Sequence, residues 1–486
     1  MRDVARGSAA AKRVPQPPDV NDAASASVGP TGRVRGVDAE RQSLARILTL
    51  IRSGAATTRL EIEKQSTLGR AIVADRVATL GAFGLIEEGE LGPAMGGRAP
   101  RVVRFRADAA RILVATFDAA SLGVGVADLA GRVLIEHHEA ADLALGQDAM
   151  LKRLDTLFDW LREEQQDGRP VWGIGVAVPG PVEASVEAAD ARPFAPRVLH
   201  SLPTWNGGAL VAALARRHRA PVWVDSLVQM MTLGEFAAGG PPGGRHLMFV
   251  DLDAEISAGL ILGGRPHRGA QGVAGRIGHV CVDDESSIVC RCGNTGCLEA
   301  LAGTEAIVRE ALLAAGQGRS RQLADALAAN GELTVFDVGL AAQQGDAFSA
   351  EVLSRCGRLI GSVLAALANT LNPSIIMLGG DVAQTGDILL AAIREAIYRR
   401  SHPLVTRDLR VARSQMGGSA GLGGAALAAA SELFSGGLLS GWIALGSPLR
   451  HPAFTALLAH ADQVASSPTE RPSPPVVNRA RRASPR

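Results

Sequence analysis

Four of the five cysteines, Cys281, Cys290, Cys292 and Cys297, crowd into one short segment, with His279 just ahead of them. A disulfide framework distributes cysteines along a chain, so this crowding points instead to metal. Cys290, Cys292 and Cys297 form a C-x-C-x4-C pattern, and His279 lies eleven residues before it. One imidazole and three thiolates complete a tetrahedral Zn²⁺ site with no position left for water, which makes the site structural rather than catalytic. Such an ion would pin a loop without a core of its own to a helix starting near Leu298, coupling local folding to metal occupancy. Cys281 competes as a ligand by proximity, and a set of buried reduced thiols is the alternative to metal. Cys356, within LSRCGRLIG, reads as a small buried hydrophobe.

Around this segment the sequence alternates apolar β-like runs with helical stretches from about residue 111 to 434. ILVATFDAASLGVGVADLAG reads as consecutive strands with a turn at Asp128, VWGIGVAVPGPV as a buried strand, and PVWVD, HLMFVDL, AGLILGG and SIIMLGG as further strands. That alternation predicts an α/β body. The chain has 486 residues, enough for about three units at roughly 150 residues each. Lys plus Arg number 50 against 49 Asp plus Glu, so a polyanion could be met only by a local patch. No charged start leads into an apolar signal core and no apolar run reaches about 18 residues, which predicts a cytoplasmic protein with no membrane partner. Residues 1–37 and the last 20 or so are rich in Ser, Pro, Ala and Arg without period, and read as disordered tails, the second basic. Residues 435–460 are apolar and Gly-rich and have no place in this scheme.

Residues 38–106 follow a different pattern. Leu44, Ile47, Leu48 and Ile51 mark one face of a helix that should stop at Gly54. Thr58 and Glu61 are spaced as a capping box for a second helix, and a tight turn at residues 66–69 leads to a third whose Val73, Val77 and Leu80 face inward. LIEEGE and RVVRF then read as two strands flanking GPAMGGRAP, the pattern of a β-wing. The segment has eleven basic and eight acidic residues, a modest excess that does not by itself establish DNA binding. If it binds DNA, the outward face of the third helix would enter the major groove. The candidate contacts are Arg59 on the second helix, Arg70, Ala71, Ala74, Asp75 and Arg76 on the third, and Arg98 at the wing tip. The bland alternative is a three-helix interaction domain with solvated arginines.

GIGVAVPGPV, GAQGVAGRIGH leading into CRCGNTGCLE, and NPSIIMLGGDV followed by GLGGAALAA together resemble the ROK family of repressors and sugar kinases. Residues 38–106 are similar to the winged helix-turn-helix of its repressor branch. The resemblance implies a two-lobed, ribonuclease H-like body of the actin and sugar-kinase type over residues 111–434, preceded by the winged helix-turn-helix and followed by an extension and tail over 435–486. It also implies double-stranded operator DNA as partner and a homodimer or homotetramer built through the body.

Departures from the kinase pattern bear on activity. The family's D-x-G-G-T phosphate loop matches Thr116 to Ala120, where its glycines are replaced, and a G-T-G loop matches Asp253, Ala254 and Glu255, placing carboxylates where phosphate would lie. Aligned without a gap on Leu233, Gly234 and Glu235, the general-base position falls on Leu227, which accepts no proton; only a gapped alignment would recruit Asp225. The expectation is therefore no catalytic residue and no enzyme. At the sugar-facing positions the resemblance implies Ser201, Arg276, His279 and Glu299, with Arg276 replacing a glutamate. Three readings stay open there: an anionic effector such as a sugar phosphate, no effector, or Arg276 paired to a nearby acid such as Glu299.

Overall fold

The computed structural model describes residues 34–91, 101–183, 198–199, 202, 204–239 and 245–466. Its first helix, α1 (Val34–Arg52), buries Leu44, Ile47, Leu48 and Ile51. The capping box is formed as its spacing requires: Thr58 Oγ1 accepts from the Glu61 N–H at 3.3 Å, and Glu61 Oε2 accepts from the Thr58 N–H at 3.1 Å. It opens α2 (Arg59–Ser66), and after the turn α3 (Arg70–Ala82) buries Val73, Val77 and Leu80. The strands β1 (Ile86–Leu91) and β2 (Arg101–Phe105) pair antiparallel, and the glycine-rich segment between them, with Arg98, lies outside the described residues. Three helices followed by a hairpin is the arrangement expected of this region.

The body carries two sheets of the same plan. In the first, β3 (Arg111–Phe117), β4 (Ser121–Ala127) and β5 (Val133–Ala140) run antiparallel, and β6 (Val171–Val178) and β9 (Val222–Ser226) extend β3 in parallel. A short ribbon, β7 (Val182–Glu183) with β8 (Val198–Leu199), sits beside it. In the second sheet, β10 (Leu247–Leu252), β11 (Ile256–Leu262) and β12 (Arg265–Pro266) run antiparallel, and β13 (Ile375–Gly379) and β14 (Arg410–Arg413) extend β10 in parallel. The Asp128 turn forms as expected, with its Oδ1 accepting from the Ala130 and Arg132 N–H groups at 3.0 Å.

The first lobe also holds α4 (Gln147–Gln165) and α5 (Gly207–His218). The second holds α7 (Leu298–Ala302), α8 (Thr304–Gly316), α9 (Arg321–Asn330), α10 (Val335–Gln343), the long α11 (Ala347–Leu371), α12 (Asp387–Arg400) and α13 (Pro403–Thr406). Two helices join the lobes, α6 (Leu227–Gly239) and α14 (Gly418–Leu433), and glycine lets their backbones touch. A Cβ at Gly424 would lie 1.6 Å from the Met230 carbonyl oxygen, and one at Gly234 would lie 2.1 Å from that of Ala420. Among the described residues no single helix is long and apolar enough to cross a membrane.

The extension that the sequence left without a place forms α15 (Gly436–Trp442) and, after two short turns, α16 (Pro452–Ser466). α15 packs against α1, and α16 against α5, so the extension straps the N-terminal head to the first lobe. Trp442 is fully buried, donates its indole N–H to the Leu433 carbonyl at 3.0 Å, and meets Trp172 and Phe434 edge to face. Phe434 in turn touches Phe105 of the head edge to face and lies under the Arg52 guanidinium. Trp442→Ala should therefore cost about 3–5 kcal/mol, the usual range for a buried large aromatic. In urea unfolding followed by two probes, one in the head and one in the first lobe, both transitions should move together.

Candidate functional site

His279 closes a single 3₁₀ turn after Gly275, Cys297 caps the start of α7, and the loop between them is held by Val282 N–H to Gly296 carbonyl and Cys290 N–H to Asn294 carbonyl bonds. Those bonds fold the segment back so that the ligand atoms of His279, Cys290, Cys292 and Cys297 all lie within 4.8 Å of one another. Cys292 and Cys297 sulfurs are 3.7 Å apart, and Cys290 Sγ is 3.5 Å from His279 Nδ1. This cluster could hold a metal ion. Burial pushes the Cys297 thiol up to about 12 and raises that of Cys290, whereas the Asn294 backbone N–H lowers that of Cys292. Cys281 is exposed and outside the cluster, and Cys356 is fully buried as expected.

Beside the cluster runs a chain of ion pairs. Arg276 meets Glu255 at 3.0 Å, Arg291 meets the same carboxylate at 3.4 Å, and Arg291 Nε meets Glu299 at 2.7 Å. Glu299 is also anchored by the Ile256 N–H at 3.1 Å. Of the three readings open for Arg276, its pairing with a nearby acid is the one seen, with Glu255 as the partner and Glu299 paired to Arg291 instead. Arg291 is a site residue that the sequence reading does not name, although its position between two ligand cysteines is a signal for it. Ser201 lies outside the described residues.

Between the lobes lies a cleft of about 140 Å³. Leu227, the first residue of α6, lines it, together with Thr116, Asp118, Asp251, Asp253 and Asp381. Asp225 is turned elsewhere: it is 5% exposed, and its Oδ2 accepts from Arg268 Nη2 at 2.7 Å and Nε at 3.0 Å. Of the two carboxylates expected at the phosphate loop, Asp253 faces the cleft and Glu255 is neutralised by arginines. Gly380 turns with φ +82, and a Cβ there would lie 2.5 Å from the Leu252 carbonyl.

In the head, Arg70 and Ala71 are exposed, and Arg70 has no ion pair among the described residues. Arg76, expected to meet phosphate, is held instead by α1: its guanidinium donates to Ser43 Oγ at 3.0 Å and Glu40 at 3.1 Å, and pairs with Asp75 at 2.6 Å. Arg59, half exposed, donates to Glu88 of β1 at 2.8 Å. Ala74 is half-buried and Asp75 exposed. Ile72, 44% exposed, joins the outward face; its place off the Val73, Val77 and Leu80 stripe was the sign that it points outward.

The cleft carries an electrostatic load. Burial pushes Asp253 up to about 7, with Asp118 and Asp381 adding like-charge repulsion, and Asp118, Asp251 and Asp381 are raised for the same leading reason. A carboxyl raised on folding holds its proton longer folded than unfolded, so between the usual carboxylate range and about pH 7 stability falls as pH rises. Asp253→Asn should thus stabilise the chain at pH 8 by up to about 4 kcal/mol. In thermal unfolding across pH the gain should vanish toward pH 4.

The family model described as the ROK family matches residues 121–432. A glucokinase of Halalkalibacterium halodurans is 32% identical over 251 residues, covering 51% of this chain and 73% of that protein. The DNA-binding transcriptional dual regulator NagC of Escherichia coli is 27% identical over 410 residues, covering 82% of this chain and 95% of that one. A solved ROK family transcriptional regulator, described as a homolog of the E. coli MLC protein, superposes with a TM-score of 0.67 at 24% identity over 85% of this chain and 99% of its own. The two sheets, the cysteine and histidine segment and a match over more than half the chain agree: this chain belongs to the ROK family.

Proposed function

We propose that the chain is a sequence-specific DNA-binding transcriptional regulator, acting as a repressor, whose kinase-like body has lost phosphoryl transfer. The observation that carries this reading is the pairing of two features. The α2–turn–α3 unit leaves Arg70, Ala71 and Ile72 exposed on the helix expected in the major groove. In the body, Leu227 lines the cleft between the lobes, which supports the reading that the general-base position holds no proton acceptor. Alignment with NagC over 82% of this chain and 95% of that one supports the same reading. Occlusion of a promoter by a homodimer on two half-sites is the mechanism that fits a helix-turn-helix protein.

Zinc is the ion the cluster fits. Two thiolates at about 2.3 Å from a tetrahedral centre stand about 3.8 Å apart, and the Cys292 to Cys297 distance is 3.7 Å. His279, Cys290, Cys292 and Cys297 would hold it, and it would stiffen the loop rather than activate water, since four protein ligands leave no open position. At the effector position Arg276 and Glu299 are each matched by a neighbour, so the pocket is neutral by itself. An anionic sugar derivative would have to displace Glu255 from Arg276, and that competition disfavours an anionic effector.

A specific observation favours the rival, a sugar kinase with an added head: the 32% identity to a glucokinase. A coupled assay with ATP and hexoses should show no turnover; sustained hexose-dependent ADP release, lost in Asp225→Asn, would establish the rival. For DNA, the operator obtained by in vitro selection should bind Arg70→Ala more weakly by about 1–3 kcal/mol, with relaxed specificity at one position. Arg76→Ala should lower thermal stability and leave base preference unchanged, because Arg76 is bonded within the head. Equal, sequence-independent retention of wild type and Arg70→Ala would defeat the DNA reading.

A further inference from the structure

Across from the metal cluster stands a thiol that the cluster does not use. Cys281 is exposed, and its Sγ donates to Asp284 Oδ1 at 3.1 Å. Its backbone is bridged antiparallel to that of Cys297, a member of the cluster. The flanking bonds run from Val282 N–H to the Gly296 carbonyl at 2.8 Å and from Leu298 N–H to the Val280 carbonyl at 2.9 Å. Cys281 and Cys297 are therefore a non-hydrogen-bonded pair, the kind whose Cα atoms approach to about 4.5 Å. Disulfides need a Cα separation of roughly 4.4–6.8 Å, so the backbone already satisfies the demanding part of the geometry. Gly296 leaves the Cys281 sulfur room to turn, since a Cβ there would stand 3.0 Å from it. One member of the pair meets solvent, and the other, 1% exposed, belongs to the ligand set.

We propose that Cys281 and Cys297 form a redox pair that dismantles the metal site when a hydroperoxide oxidises it. Asp284, which accepts the Cys281 S–H and holds that thiol above its usual range, takes the proton as the sulfur attacks a peroxide oxygen; the O–O bond breaks, Cys281 becomes a sulfenic acid, and the other oxygen leaves in water or an alcohol with that proton. The Cys297 sulfur then attacks the Cys281 sulfur, the S–O bond breaks, and the hydroxyl departs as water with one proton. Two sulfurs lose two electrons in all, the peroxide gains them, and one disulfide results. Its consequence rests on the zinc reading above: the ion loses one of three thiolates. Arg291 sits in the same loop, so loosening it also releases Glu299 and Glu255 from their shared cation.

The test uses the full chain with hydrogen peroxide, reading zinc release with a chromogenic chelator and disulfides by mass spectrometry of an unreduced digest. Wild type should release about one zinc per chain and yield the Cys281–Cys297 cross-linked peptide, reversibly with thiol reductant. Cys281→Ser, an exposed substitution, should fold, bind zinc and release it at least about tenfold more slowly. Equal release from both proteins, or a cross-link joining only Cys290, Cys292 and Cys297, overturns the proposal. If the purified chain holds no metal, the zinc reading fails alone. The peptide map then still decides for or against the pair, by the presence or absence of its cross-link.

Discussion

Phe434 sits where three parts of the chain meet. It ends the helix that spans the lobes, touches Phe105 at the base of the head's hairpin, lies beneath Arg52 at the end of α1, and packs on Trp442 of the C-terminal extension. A head joined to its body only by a linker would move independently of it. Here the apolar residues of the head, the first lobe and the extension form one continuous core, so the orientation of α3 is set by the packing of the first lobe. Each of these aromatic contacts contributes on the order of 1 kcal/mol beyond the area it buries, and they act on the same few rings.

The second constraint is electrostatic, and it explains why two acid-rich regions of one body behave differently. Near the metal cluster, Glu255 and Glu299 are matched by Arg276 and Arg291, so burying them leaves no uncompensated charge. In the cleft, Asp118, Asp251, Asp253 and Asp381 share one space with no arginine paired to them among the described residues, and each is raised. A triphosphate entering that space would meet carboxylates on both walls. The same cleft holds an aliphatic side chain at the start of α6, while the nearest aspartate in sequence is occupied by Arg268. Under the proposed function, these are two separate obstacles to phosphoryl transfer.

What was legible in the sequence follows from the range over which each signal acts. The Thr58 and Glu61 capping box, the Val73, Val77 and Leu80 stripe, and the apolar runs of β3, β4, β6, β9, β10, β11 and β13 are written in local spacings, and each forms, whereas the more polar or shorter β5, β12 and β14 gave no such signal. The metal cluster was legible because its four side chains lie within one loop. The extension was not: α15 has seven residues, too few to show a period, and the side chain that gives it a place, Trp442, finds its partner Trp172 far away in sequence. The same limit hid the partner of Arg276. Which of several acids it meets depends on Arg291 taking Glu299, a competition decided in space. Arg76 stands among the candidate contacts of the third helix, and only the packing of α1 shows that its guanidinium turns inward.

These constraints bound how any signal could reach the head. A ligand or modification shifts an equilibrium only by its different affinity for the two states. The metal loop and ion-pair chain belong to the second lobe, whereas the head is welded to the first. The lobes meet through α6 and α14, in backbone contact through Gly234 and Gly424, and Leu247, Phe249, Ile261 and Ile375 of the second sheet join the same core as the head. α6 packs on both β10 and β11 of the second sheet while α14 lies on β3 and β6 of the first, so the pair pins the two lobes together. Glu235 of α6 accepts a hydrogen bond from Ser414, which follows the last strand of the second sheet, and ties that pair to the second lobe from within a buried site.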